Sequence, residues 1–201
     1  MKKILLLSIM LFPVLMGHTQ DIDPSKAMQL VARNKTAIGL TDKDLGNAII
    51  SNAYYNKTSG TQLVYLQQSY MGLPVFNQIQ TLAFKNAQLV SQAGTRLKSI
   101  EKLTRLSDAT PAISAENAVR TAITDKKLTI NQPLKGTLIN GSKKLDFGKS
   151  GISNEKITAE LMWVPINDGR EVKLAWQVYL VPSNSADYWL INVDANNNGI
   201  L

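Results

Sequence analysis

The chain contains no cysteine and one histidine, His18. Without cysteine there can be no disulfide staples, so the fold has to rest on its core. A hydrophobic content of 44% across 201 residues permits one. His18 falls within an N-terminal leader, described below, and leaves with it. The remaining chain then has neither His nor Cys. That excludes the histidine general base, the cysteine nucleophile and nearly every zinc site. There is no glycine-rich phosphate loop and no G-x-S-x-G elbow. Carboxylate chemistry is the enzymatic route left, and it needs paired acids with shifted pKa values in a cleft. Asp42, Asp44, Asp108, Glu116 and Asp125 sit instead at expected helix starts and turns, where capping accounts for them. The composition therefore argues against an autonomous enzyme and calls for no cofactor or metal. A small carboxylate-dependent hydrolase stands as the minor alternative.

Long apolar runs are also scarce. The one clear run opens the chain in MKKILLLSIMLFPVLMGHTQ. Lys2 and Lys3 precede an apolar stretch from Ile4 to Met16, and a small, polar tail ends at Gln20. This is the layout of a secretory signal, with cleavage expected near Gln20, so residues 1–20 are read as a signal peptide. No cysteine lies there to carry a lipid anchor, and no second run is long enough to cross a membrane. The expectation is an exported protein, extracellular or periplasmic, with no membrane association after cleavage. Removing Lys2 and Lys3 leaves 20 basic residues against 15 acidic ones, a net charge of +5. The lysines are scattered and no basic stripe alternates with aromatics, which argues against nucleic acid and suggests mild attraction to an acidic partner.

The residue pattern predicts an α+β chain of two small units, each a helix packed on an antiparallel sheet. Pro24 to Ile38 reads as one helix, capped by Asp23 or Ser25 and ended by Gly39, followed by a short helical turn at residues 41–45. Strands are expected over Ile49–Tyr55, Gln62–Tyr70, Val75–Phe84 and Leu89–Ala93, with a turn over Met71-Gly72-Leu73-Pro74. Residues 96–110 read as a connector. Ser114 caps a second helix reaching Asp125. Short strands are expected at residues 138–139 and 145–147 around Gly141. Three longer ones follow at Glu160–Ile166, Val172–Val181 and Tyr188–Val193, the first two joined by an Asp168-Gly169 hairpin. Ile200-Leu201 looks like the first step of a further strand, as if the chain were the front of something longer.

The stretch from Tyr54 to Ser91 carries a resemblance. Tyr54-Tyr55, Thr58-Ser59-Gly60, Val64-Tyr65-Leu66, Gln67-Gln68, Tyr70, Gly72, Pro74-Val75 and Phe76-Asn77 recur in order. In these features the stretch resembles the N-terminal propeptide module shared by fungalysin-type and thermolysin-type zinc metalloproteases. The later SAENAVRTA, LMWVPINDGREVKLAWQVYL and YWLINVDANNNGIL are similar to the PepSY-like end of fungalysin-type propeptides, through Leu174-Ala175-Trp176 and Val193-Asp194-Ala195. The resemblance divides the chain into a fungalysin/thermolysin-propeptide-like unit at 21–95, the connector at 96–110 and a PepSY-like unit at 111–201. It implies an intramolecular chaperone and inhibitor whose partner is a metalloprotease catalytic domain. That domain would act in cis if the chain is a fragment of a precursor, and otherwise in trans. The H-E-x-x-H zinc motif is absent. The alternative is a free-standing secreted binding module or inhibitor working in trans through a sheet edge.

The positions carried by the resemblance, and candidate partner contacts, are Tyr65, Gln67, Gln68, Gly72, Val75, Asn77, Trp163, Trp176 and Asp194. Each also has a plain structural reading. Adjacent strand residues face opposite sides, so one glutamine should be exposed and the other satisfied at a turn. Gly72 reads as a positive-φ residue. Trp163, Trp176 and Trp189, on three successive strands, read first as core and second as an exposed aromatic platform. Asp194 to Gly199 matches the front of a calcium loop but has one carboxylate and reads as a turn. Three Asn-x-Ser/Thr triplets, at Asn34, Asn56 and Asn140, carry little weight.

Overall fold

The structure is a computed structural model and describes residues 19–105, 108–139 and 143–201. Almost all of the expected signal segment and the Asn140-Gly141-Ser142 triplet lie outside the described residues. Among the described residues no helix is long and apolar enough to cross a membrane. The fold is mixed α+β, with a few helices packed on a large, mostly antiparallel sheet.

Helix α1 (Pro24–Arg33) starts where the sequence says it should. The Asp23 carboxylate accepts from Ser25 N at 3.0 Å and Lys26 N at 3.2 Å, and Pro24 pre-sets the first turn. The single helix expected to Ile38 is in fact broken at Asn34, and α2 (Lys35–Ile38) follows. The reason is distant in sequence. The Asn34 amide donates to Leu30 O and Ala87 O, and its oxygen accepts from Leu89 N. Gly39, at φ 82°, ends α2. Helix α3 (Asp42–Gly46) carries a reciprocal capping box between Thr41 and Asp44.

The first group of strands is β1 (Thr19–Asp21), β2 (Ala48–Asn56), β3 (Thr61–Tyr70), β4 (Leu73–Lys85) and β5 (Gln88–Gly94), each antiparallel to the next. Ala27, Leu30 and Val31 of α1 bury against Ala53, Val64, Leu66, Leu82 and Phe84 on one face of this sheet. The expected four-residue turn at 71–74 is only two residues long. Tyr70 pairs with Leu73 and Ser69 with Pro74, so Pro74 belongs to the strand. Met71 and Gly72, at φ 49° and 74°, make the turn, as the twist of a tight hairpin demands.

A 3-10 turn at Ile100–Lys102 leads toward α4 (Ala115–Asp125), whose first turn is capped by Ser114. The second group is β6 (Thr137–Leu138), β7 (Lys144–Asp146), β8 (Thr158–Ile166), β9 (Glu171–Leu180) and β10 (Trp189–Asp194), again antiparallel neighbours in that order. Ala118, Val119, Ala122 and Ile123 of α4 pack on Trp176, Val178, Ile191 and Val193. Ile200 bridges back to Val193, the strand step read from the sequence.

The two groups of strands meet at one point. Val75 of β4 pairs in parallel with Trp163 of β8, the one parallel pairing among the described strands. Leu73, Val75 and Ile100 are buried in the same cluster as Trp163, Leu174 and Trp176. The β3–β4 hairpin thus closes one core at its base and enters the other at its tip.

Candidate functional site

The residues carrying the sequence resemblance converge on that meeting point, because β4 must change partners there. Gln67 pairs with Ile79 and Ser69 with Pro74, so the four residues 75–78 stand opposite Gln68 alone. This is a large, irregular bulge, and it frees Val75 from β3 to face β8. Asn77 takes the left-handed φ of 55° that the excursion needs, a conformation asparagine tolerates better than most residues.

Bulges leave carbonyls without ladder partners, and unpaired buried polar groups cost about 1–3 kcal/mol each. Gln67 meets this need. Its Nε2 lies 2.9 Å from Gln68 O, 2.7 Å from Val75 O and 3.1 Å from Gln78 O, sharing two hydrogens among three acceptors. Gln68 turns to the other face and is buried. Its Nε2 donates to Leu97 O and its Oε1 accepts from Leu97 N, both at 2.9 Å, so the side chain imitates a strand and fastens the chain after β5. The expectation of one exposed glutamine is corrected: both side chains are spent on backbone. The same region holds Asp44 in an ion pair with Arg96, both largely shielded from solvent. Burial alone would raise the Asp44 pKa. Hydrogen bonds from the Thr41 backbone and hydroxyl, with the Arg96 charge, outweigh it and hold the carboxyl below the ordinary value.

Trp163 closes the joint from the other side. It is fully buried, its Nε1 donates to Tyr70 O at 2.8 Å, and its ring lies 5.5 Å from that of Tyr70. Trp176 is also buried and donates from Nε1 to Ile113 O at 2.7 Å, tying the start of α4 to the sheet. Trp189 is different. It is 37% exposed, with Lys126 Nζ 4.1 Å from its ring centre, so the core reading holds for two of the three tryptophans.

Asp194 is buried, and its carboxylate is occupied by Lys173 Nζ at 3.1 Å and Asn196 N at 2.9 Å. Asn198 donates to Thr121 Oγ1 and Asn197 accepts from Gly199 N, so the Asp194–Gly199 segment is a turn tied to α4. Among the described residues no group of three or more His, Cys, Asp and Glu is placed to hold a metal. Asp146 is lowered as well, by a hydrogen bond from Lys156 and one from Gly148 N. Asp44 and Asp146 are therefore biased toward the ionised form, which is unsuited to a general acid.

Tyr65 points to the face of the first sheet opposite α1, where its ring stacks on Tyr54 with centroids 6.2 Å apart. A shallow groove of about 620 Å³ runs from that face to the second sheet and is lined by Ile49, Gln67, Gly72, Pro74, Lys143 and Glu160. The structure brings Gln67, Gln68, Val75, Asn77 and Trp163 together, with Tyr65 and Gly72 beside them; Trp176 shares the Trp163 core from the next strand, β9, and Asp194 lies one strand further, on β10. Sequence reasoning missed Asn34, Arg96 and Leu97. Each has a partner 29 to 55 residues away, which no local pattern could announce.

Residues 48–95 match the family described as the Fungalysin/Thermolysin Propeptide Motif. No curated protein matches the chain. Among solved structures the chain is similar to the Bacillus megaterium YpeB C-terminal domain, with 13% identity and a TM-score of 0.36, over 90% of this chain. The chain spans 64% of the length of that structure.

Proposed function

We propose that this chain is a propeptide-type module, chaperone and inhibitor of a secreted zinc metalloprotease and not itself catalytic. The observation that carries the reading is the motif match over residues 48–95. The residues that gave the resemblance, Gln67, Gln68, Gly72, Val75 and Asn77, are the ones that shape the bulged hairpin. A module that templates or blocks an enzyme needs a rigid shape more than reactive groups, and these residues supply shape. The reading divides the chain into a signal peptide at 1–20, the propeptide-motif unit at 21–95, a connector at 96–110 and a PepSY-like unit at 111–201. It places the protein outside the cytoplasm and its protease partner in cis or in trans. Adding the purified chain should slow peptide hydrolysis by a thermolysin-type catalytic domain and raise the yield when that domain is refolded from denaturant. Absence of both effects overturns the reading.

One observation favours the second reading, a free binding module using a sheet edge. The β5 sequence QLVSQAG carries no charge and no proline, the usual guards of an edge. Asn34 covers the start of that edge at Leu89. From Val90 to Gly94 no strand other than β4 pairs with it among the described residues.

A further inference from the structure

An antiparallel sheet with one face on a core normally turns polar residues outward on the other. The first sheet departs from this. Register places Ile49, Gln67 and Ile79 in one row across β2, β3 and β4, and Tyr54, Leu63 and Ala83 in another, with Asn52, Tyr65 and Thr81 between them. These side chains face away from α1, and no helix covers them among the described residues. Ile49 is 41% exposed and Ile79 39%. The face is rigid, because Gln67 and the bulge beneath it hold its lower end and the Tyr54–Tyr65 stack fills its middle.

Its charge is one-sided. From Leu45 to Ile100 the chain contains no Asp or Glu, while Lys57, Lys85, Arg96 and Lys98 lie within that span. Arg96 is neutralised by Asp44, whereas Lys57 and Lys85 make no ion pair among the described residues. Lys57 sits in the β2–β3 turn and Lys85 is the last residue of β4, at the same end of the sheet. Two carboxylates border the face, Asp21 on β1, paired with Tyr54, and Glu160 across the groove. A partner with an apolar centre and carboxylates at its rim would match both features.

We infer that the open face of β2–β4 is the docking surface for the protease, with Ile49, Tyr54, Tyr65 and Ile79 at its centre and Lys57 and Lys85 steering an acidic rim. This deepens the reading above and rests on it. The probe is thermolysin, and the readout is the inhibition constant of the full chain. Ile49→Glu and Ile79→Glu should each raise that constant at least tenfold. Lys57→Glu with Lys85→Glu should raise it several-fold and flatten its dependence on salt. Leu138→Glu, at a 61% exposed site on β6, should leave it within twofold. Unchanged thermal midpoints establish that each variant is folded, and the lysine variants, at exposed positions, test the surface even if the isoleucine variants do not fold. Wild-type inhibition that none of the face or lysine variants alters overturns this surface while sparing the functional reading. A wild-type chain that neither inhibits nor binds thermolysin overturns both.

Discussion

The two sheets solve the same problem, holding their strands at an irregular junction, with different side chains. In the first, the bends of β3, β4 and the chain after β5 are held by the amides of Gln67, Gln68 and Asn34, and one apolar face packs under α1. In the second, indole rings do the holding. Trp163 and Trp176 are buried, and each uses its N–H to capture a carbonyl from a different segment. An amide side chain repairs an unpaired backbone group locally and takes up little core volume. An indole supplies both a hydrogen bond and a large buried surface. The first strategy lets a sheet leave a face uncovered. The second produces a core that reaches across to Leu73 and Val75 and fixes how the hairpin tip sits.

The largest effect should come from the indole side. Trp163→Ala removes a fully buried ring and its hydrogen bond to Tyr70 O, and should cost about 3–5 kcal/mol in urea denaturation. If the loss is instead below about 1 kcal/mol, the contrast between the sheets fails, since surface residues give effects that small. An intermediate effect is expected from the amide side. Gln68→Ala leaves Leu97 N and O without partners and should cost roughly 2 kcal/mol. Hydrogen exchange at the Leu97 amide should speed up while Leu174 and Val178 stay protected. Exchange that accelerates equally in the second core would show that the amide holds the whole molecule and not one segment.

The smallest effect should be electrostatic. The folded-state pKa of Asp44 is lowered, so its contribution to stability is fully present above the ordinary carboxylate range, near pH 4. That contribution is lost as pH falls through the lower folded value. Asp44→Asn should flatten the acid limb of the stability curve below about pH 4 and leave its neutral part less stable. An acid limb identical to that of the wild type would mean that the Arg96 pair contributes nothing to the joint.

The strands were legible in the sequence because their period and turn residues are local. β-Branched and aromatic runs stand between Asn, Gly and Asp, and Ser114 and Asp23 cap helices where capping chemistry requires them. The hairpin was placed correctly and its turn was drawn two residues too long. Pro74 looks like a turn residue, and its place as Ser69's strand partner depends on a bulge made by residues 75–78. The break at Asn34 was hidden for the same reason, since the groups that reward it, Ala87 O and Leu89 N, arrive from another strand.

What the sequence alone determined is a histidine- and cysteine-poor α+β chain with a recognisable glutamine, glycine and asparagine order, because composition, period and motif are written along the chain. The tertiary structure decided what that order is for. Both glutamines satisfy backbone groups at the place where β4 leaves β3 to meet Trp163, and no helix among the described residues covers the apolar face beside them. Hydrogen bonds between residues tens of positions apart become available only once the sheet has brought them within 3 Å, so no reading along the chain could assign them.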